Sequence, residues 1–518
     1  MTSRQRWTLV ATIIGSGAVF LDGTIVNVAL KRIGQELPAT AVGVLEGQTY
    51  VVNGYLAVLA ALLILAGALS DHFGRRRIYA IGLGGFAATS ALCGLAPTME
   101  FLIVFRLLQG FAGALLVPGS LSIITQTFAA GAERGRAFGI WASATSALVV
   151  LGPITGGILV DTIGWRVAFL VNVPLLSAAL WATLRHVAES RDTASSARFD
   201  WLGSFVAALA VGGLAFGLIR GQEREWADPV AWLSIGVGAV ALVVFPFLMA
   251  RRKDPLVPLG LFRSRAFAAI NLATFFLYGA LYVTFSYQAL LFQGVLGYTA
   301  LGAGAVGVPS GVMLSILSTR VGTLAGRYGA RRFLVAGPLL MASGLLWYAR
   351  LPVSSAPWAI ALDSPSTFLP PLDVFIDVLP SIVLFGLGIS LVVAPLTSTL
   401  MGSIPSRFSG LGSAINNSLS RVGSPLLGAI IFIAISATFY GALRTAAPEL
   451  DVNATAVRHA FPPLNPPQAG ATAAQVVAAK DASIAAFHQA MLIGAALLGV
   501  AAAVSWFGLR TTETATVP

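Results

Sequence analysis

The chain has 518 residues, 57% hydrophobic and only 10% charged, with a formal net charge of +11. Soluble globular proteins carry about 25% charged residues, so a mean hydropathy of +0.84 excludes a water-facing fold and requires burial in lipid. The basic residues form neither a face nor a tail, which argues against a nucleic-acid partner, and the lone cysteine, Cys93, excludes an intrachain disulfide.

A hydrocarbon core takes about 20 apolar residues per helical span. In chain order, fourteen apolar runs meet that need: 8–30, 47–69, 78–96, 101–125, 137–160, 167–184, 201–219, 229–250, 266–295, 301–324, 333–350, 374–401, 409–440 and 482–509. The expected fold class is an all-α integral membrane protein. The opening MTSRQRWTLVATIIGSGAVF has the basic start and apolar core of a signal peptide. No small-x-small cleavage site precedes Asp22 and the apolar stretch continues to Leu30, so it is read as an uncleaved first span. Arginines collect on alternate connections, at Arg4 and Arg6, Arg75 to Arg77, Arg134 and Arg136, Arg251 and Arg252, and Arg331 and Arg332. The positive-inside rule then puts those connections and both termini in the cytoplasm of a cell-membrane protein. The Ala/Pro-rich segment 441–481 becomes an external loop.

GALSDHFGRRR at 67–77 recurs in weakened form as GTLAGRYGARR at 322–332, with Gly, Leu, Gly and two arginines in register. Repeated helical bundles are a mark of transporters. The division expected is a six-helix bundle over 1–190, an inserted two-helix hairpin over 200–250, and a second six-helix bundle over 265–518. Gly67 and Gly74 permit tight packing and a short turn. Arg75 and Arg76 anchor the loop. Asp71 has two available roles: accepting backbone N–H bonds at another helix's N-terminus, near Ser409 and Gly410, or pairing with an arginine.

No phosphate-binding G-x-x-x-x-G-K-[ST] loop and no Cys/His cluster with metal spacing occurs. A polar cluster of nucleophile, base and metal ligands is also missing, so the chain reads as a transporter and not an enzyme, with no cofactor besides an ion gradient. Charges inside a membrane are functional candidates. Asp22 lies about 22 Å along the first span and is the leading proton carrier. Arg106, near the start of the fourth span, reads as a snorkelling residue. Asp373, Asp377 and Glu46 are further acids at span ends, and Arg320 and Arg421 make cytoplasmic-side or inter-helix contacts. Gly152, Pro153, Gly156 and Gly157 combine small residues for close packing with a kink, and are expected to seal the external side between the two halves. FFLYGALYVTFSYQALLFQ at 275–293 is dense in aromatics. Tyr278, Tyr282 and Gln288, with Asn416 and Asn417, are candidates for lining a cavity for flat apolar solutes.

The 67–77 stretch resembles the signature loop of the major facilitator superfamily. RLLQGFAGALLVPGS (106–120) resembles that family's fourth-helix motif, and LGPITGGILVD (151–161) the fifth-helix motif of its exporters. LDGTIVNVAL (21–30), GWRVAFLVNVP (164–174) and SGLGSAINNSLSRVG (409–423) resemble the fourteen-span drug:proton antiporters. The resemblance implies a monomeric, proton-coupled exporter of small amphipathic organic molecules such as drugs or antibiotics, with Asp22 and Arg106 in proton coupling. A metabolite symporter and a lipid transporter of the same fold are the alternatives. Two departures stand out: Lys31 replaces the usual proline after the first-helix motif, and Gly326 replaces the acid in the second loop.

Overall fold

The computed structural model describes residues 1–38, 44–129, 131–191, 199–223, 228–361, 364–467 and 470–509. Glu46, Pro153 and Gly157 lie outside the described side chains. All regular structure among the described residues is helical: α1 Ser3–Glu36, α2 Val44–Phe73, α3 Arg75–Gly94, α4 Met99–Thr127, α5 Ala132–Thr162, α6 Trp165–Leu170, α7 Asn172–His186, α8 Trp201–Glu223, α9 Pro229–Arg251, α10 Arg265–Leu290, α11 Ala300–Tyr328, α12 Ala330–Tyr348, α13 Leu379–Gly402, α14 Ser409–Ala446, α15 Thr455–Ala460 and α16 Ala473–Gly508. Eleven helical segments are long and apolar enough to cross a membrane, with α6 and α7 forming one of them. The chain is a multi-pass membrane protein. α3, α5 and α12 fall outside those eleven; α3 and α12 each open on arginines, which lowers their hydropathy.

Local chemistry sets several ends. Thr2 with Gln5, and Thr472 with Gln475, form reciprocal capping boxes that start α1 and α16. The run expected at 167–184 is broken at Val171. Pro174 has no N–H for the Leu170 carbonyl, and its ring crowds that carbonyl. The 441–481 segment is less of a loop than expected, because α14 runs on to Ala446, α15 forms within it, and α16 starts at Ala473.

Apart from α5 and α11, whose most extensive packing is on each other, the helices α1 to α7 pack mainly on one another, as do α10, α12 to α14 and α16. Apolar side chains such as Leu59, Phe86 and Leu116 fill the first group, and Leu345, Phe439 and Phe487 the second. The groups meet where α2 lies against α14 and α5 against α11. α8 and α9 pack on each other, so closely that a methyl group on Gly213 would sit 3.0 Å from Gly238 Cα. α8 also touches α2 and α14.

The repeated stretch explains itself in this frame. Gly74 is the only residue between α2 and α3, and Gly329 the only one between α11 and α12. Their φ angles of 111° and 86° suit glycine alone among ordinary residues.

Candidate functional site

An acid stands on the buried stripe of α1. Ala18, Val19, Ile25, Val26 and Ala29 share helical spacing with Asp22, and all are buried. Asp22 is 0% exposed and Arg106 of α4 is 1% exposed. The arginine does not snorkel; it turns inward and places Nη1 2.5 Å from Asp22 Oδ2. Its Nη1 also donates to Gln109 Oε1 at 2.7 Å, and its Nε to the Val51 carbonyl at 2.9 Å. The other carboxylate oxygen, Asp22 Oδ1, accepts from Gln109 Nε2 at 3.2 Å and Asn172 Nδ2 at 3.3 Å. Both amides also donate to Ser90 Oγ, at 2.9 and 3.1 Å. The Tyr55 ring of α2 caps the guanidinium, its centroid 4.0 Å from Arg106 Cζ. Small residues bring α4 close enough: a methyl group on Gly110 would sit 2.7 Å from the Tyr55 carbonyl oxygen.

The ion pair is charge-balanced and its hydrogen-bonding groups are largely occupied. That is the condition under which buried charges are tolerated, and breaking such a pair typically costs about 3–5 kcal/mol. A proton arriving on Asp22 would do the same thing reversibly, by leaving Arg106 without its counter-charge.

Asp71, at the end of α2, lies against the N-terminus of α14. Its Oδ1 accepts from Gly410 N at 3.2 Å and its Oδ2 from Leu411 N at 2.9 Å. α14 has no side-chain cap of its own at Phe408, so α2 supplies one across the helix boundary. Both roles open to Asp71 in the sequence are filled at once, because Arg75 Nε and Nη2 also reach its Oδ1, at 2.9 and 2.7 Å. Arg75 Nη2 continues to the carbonyls of Ser406 and Arg407, at 3.1 and 3.0 Å. Arg75 is 2% exposed. Arg76 faces elsewhere: its N–H binds Glu189 Oε1 at 3.1 Å and its Nη1 the Val187 carbonyl at 3.4 Å. A methyl group on Gly67 would sit 2.5 Å from the Gly410 carbonyl oxygen, and Gly67 thereby permits the approach of α2 to α14. At the same end, Gly135 of α5 meets Gly322 of α11, where an added methyl would be 3.0 Å from the Gly322 oxygen. Ser122 and Ser409 exchange a hydrogen bond of 2.8 Å, as do Ser143 and Thr319 at 3.1 Å. This end of the molecule is closed.

Other candidates fall differently. Gly152 and Gly156 pack against α1. Their open sides meet Thr24 and Ile25 of α1, so they set the distance between α5 and the turn that carries Asp22. Asn416 is buried and donates to Asn271 Oδ1 at 3.2 Å and Thr274 Oγ1 at 2.8 Å. It fastens α14 to α10 and is not a free polar point in a cavity. Asn417 bonds back to the Ser413 carbonyl at 2.9 Å. Tyr278 is half-buried and Tyr282 exposed, their rings 6.1 Å apart. Gln288 is buried with no partner for Oε1. Asp373 Oδ2 accepts from Ala356 N at 2.8 Å and holds a connecting loop, and Asp377 is half-buried in the helical turn before α13.

Sequence reasoning missed Ser90, Asn172 and Tyr55 around Asp22. Each is one of several polar residues on its helix, with Thr89 beside Ser90 and Tyr50 and Asn53 near Tyr55, so nothing local singled it out.

A family model of the Major Facilitator Superfamily matches residues 12–429. The chain is 34% identical over 457 residues to the multidrug resistance protein Stp of Mycobacterium tuberculosis (strain CDC 1551 / Oshkosh), covering 87% of this chain and 80% of that one. It is 32% identical over 429 residues to the tetracenomycin C resistance and export protein of Streptomyces glaucescens, covering 82% and 74%. The solved structure of the proton:xylose symporter XylE matches with a TM-score of 0.58 at 15% identity, over 98% of this chain and 96% of that chain. That last likeness speaks to fold alone. With the model spanning most of the chain, and helices packed as in a solved member, the chain belongs to the major facilitator superfamily.

Proposed function

We propose that the protein exports amphipathic organic molecules such as drugs or antibiotics, in exchange for protons. Fourteen helices span the cell membrane in this reading, counting α6 and α7 as one and leaving out α15, with both termini cytoplasmic. The bundles 1–190 and 265–518 alternate access around a central path, with the 200–250 hairpin beside them, and one chain suffices. The names of the resistance and export relatives support the direction of transport.

The observation that carries the coupling is the fully buried Asp22–Arg106 pair. Ionised Asp22 holds Arg106, Gln109 and Asn172 in one arrangement. Protonation from the acidic side removes the counter-charge and frees the guanidinium, so α1 and α4 repack. The closed end, with Asp71 on the α14 N-terminus, is the cytoplasmic gate in this reading, and Asp71 and Arg75 must part for it to open.

The test is uptake of a fluorescent drug into everted vesicles under an imposed pH gradient. Asp22→Asn mimics the protonated acid permanently. It is expected to abolish gradient-driven accumulation while leaving energy-independent exchange of drug for drug. Normal gradient-driven uptake by that variant, at matched expression, would place the coupling proton elsewhere. Accumulation that runs down the proton gradient's direction instead of against it would mark an importer.

A further inference from the structure

The carboxyl of Asp22 needs donors while it is ionised and an acceptor once it carries a proton. The side chains bonded to it all donate: Arg106 Nη1 to Oδ2 at 2.5 Å, and Gln109 Nε2 and Asn172 Nδ2 to Oδ1 at 3.2 and 3.3 Å. The guanidinium occupies Oδ2, so an arriving proton has Oδ1 to bind. The new O–H then points at amide N–H groups that cannot accept it. The other titratable groups at the pair are Tyr55 of α2, over the guanidinium, and Cys93 of α3, whose Sγ lies 3.6 Å from Gln109 Oε1. α5 presents Gly152 and Gly156 to the Asp22 turn.

Of the two amides, only one is free to turn over. Gln109 Oε1 accepts from Arg106 Nη1 at 2.7 Å, so rotating that amide sets N–H groups against a guanidinium, which has donors only. Asn172 is 0% exposed, yet its Oδ1 has no hydrogen-bond partner. A half-turn about its Cβ–Cγ bond exchanges Oδ1 and Nδ2. Oδ1 then faces the proton on Asp22. The Ser90 hydroxyl, which now accepts from Nδ2 at 3.1 Å, rotates to donate instead. Each orientation leaves one amide atom idle, so neither is locked, and the state of Asp22 decides between them. Asn172 is also the first residue of α7, at the break that Pro174 makes after α6. We propose that Asn172 is the positioning residue that reads the charge of Asp22: it donates to the carboxylate, turns over when the acid is protonated, and then accepts from it. This rests on the reading that Asp22 takes the coupling proton. The turned amide carries the change from α1 to Ser90 of α3 and to the break between α6 and α7.

The test is infrared difference spectroscopy on acidification. The full chain is held in phosphatidylcholine nanodiscs, with heavy carbon in the side-chain amides of its asparagines. The acid carbonyl band of Asp22 is identified by its loss in Asp22→Asn. In the unaltered protein that band should appear together with a downward shift of one labelled amide band, because a carbonyl that accepts a hydrogen bond vibrates at lower frequency. The amide shift should be missing in Asp22→Asn and in Asn172→Leu. The acid band itself should rise in frequency in Asn172→Leu, which offers no acceptor, and fall back in Asn172→Gln, which offers one. Thermal unfolding confirms folded variants, and the paired bands of the unaltered protein decide the matter even if Asn172→Leu does not fold. An acid band without an amide shift would overturn the proposal and leave proton coupling at Asp22 intact. An acid band at unchanged frequency in folded Asn172→Leu would do the same. No acid band at all would remove both, since Asp22 then takes no proton.

Discussion

The two copies of the repeated stretch do the same backbone work and different chemical work. Gly74 and Gly329 each reverse the chain in one residue at positive φ. Gly67 and Gly322 each admit a helix from the other group, α14 in one case and α5 in the other. The copies part at Asp71 and Gly326. Asp71 caps α14 and binds Arg75. Gly326 faces Ala132 at the start of α5, and a methyl group there would be in ordinary contact, 3.5 Å from Ala132 Cα. The arginines of the second copy are used elsewhere, with Arg331 Cζ 4.2 Å from the Trp506 ring centroid. Pseudo-symmetry thus holds for the backbone and for close approach, while the charged cross-link is built on one side only.

Asp71→Ala should have the greatest consequence. It strands Arg75 in a buried site, at a cost of about 3–5 kcal/mol. Thermal unfolding should fall by many degrees, and vesicle transport should drop to background even in the folded fraction. An unchanged unfolding temperature would show that the cross-link carries no weight. Next in size is Gly74→Ala against Gly329→Ala. Both force an L-residue to a sparsely populated positive-φ conformation, at about 1–3 kcal/mol. Only Gly74 is also known to crowd an acid, since an added methyl would sit 2.8 Å from a Glu189 carboxylate oxygen. Glu189 binds the Arg76 and Arg77 amides at the start of α3. Gly74→Ala should therefore lower the unfolding temperature further than Gly329→Ala, and a reversed order would remove Glu189 from the account. The smallest effect is a gain. α5 starts at Gly131 without a side-chain cap, so Gly326→Asp should supply one, at about 0.3–1 kcal/mol. Slightly raised unfolding temperature with slower transport would reproduce the missing half of the symmetry. No change in either would mean that the second interface cannot be cross-linked through this position.

Much of the site was legible where a residue broke a local rule. An acid about 22 Å into an apolar helix, and an acid beside three arginines at a glycine turn, are visible without coordinates. Asn416 misled because an asparagine inside a membrane helix looks the same whether it faces a cavity or fastens two helices, and its bonds to Asn271 and Thr274 make it the second. Gly152 and Gly156 show the same ambiguity. Small residues announce a close approach without saying to which helix, and here it is α1.

The sequence by itself determined what each segment must be. Apolar runs cannot leave backbone groups unpaired in lipid, so they are helices; one-residue glycine turns make neighbours antiparallel; and charge scarcity confines ions to places where they are used. Only the tertiary structure decided which ions meet. Asp22, Ser90, Arg106 and Asn172 come from four helices, and Asp71 and Gly410 are far apart in the chain but joined by a 3.2 Å bond. Nothing local encodes those distances, because they depend on which faces of packed helices are turned toward each other, and that is settled by the packing of all the helices together.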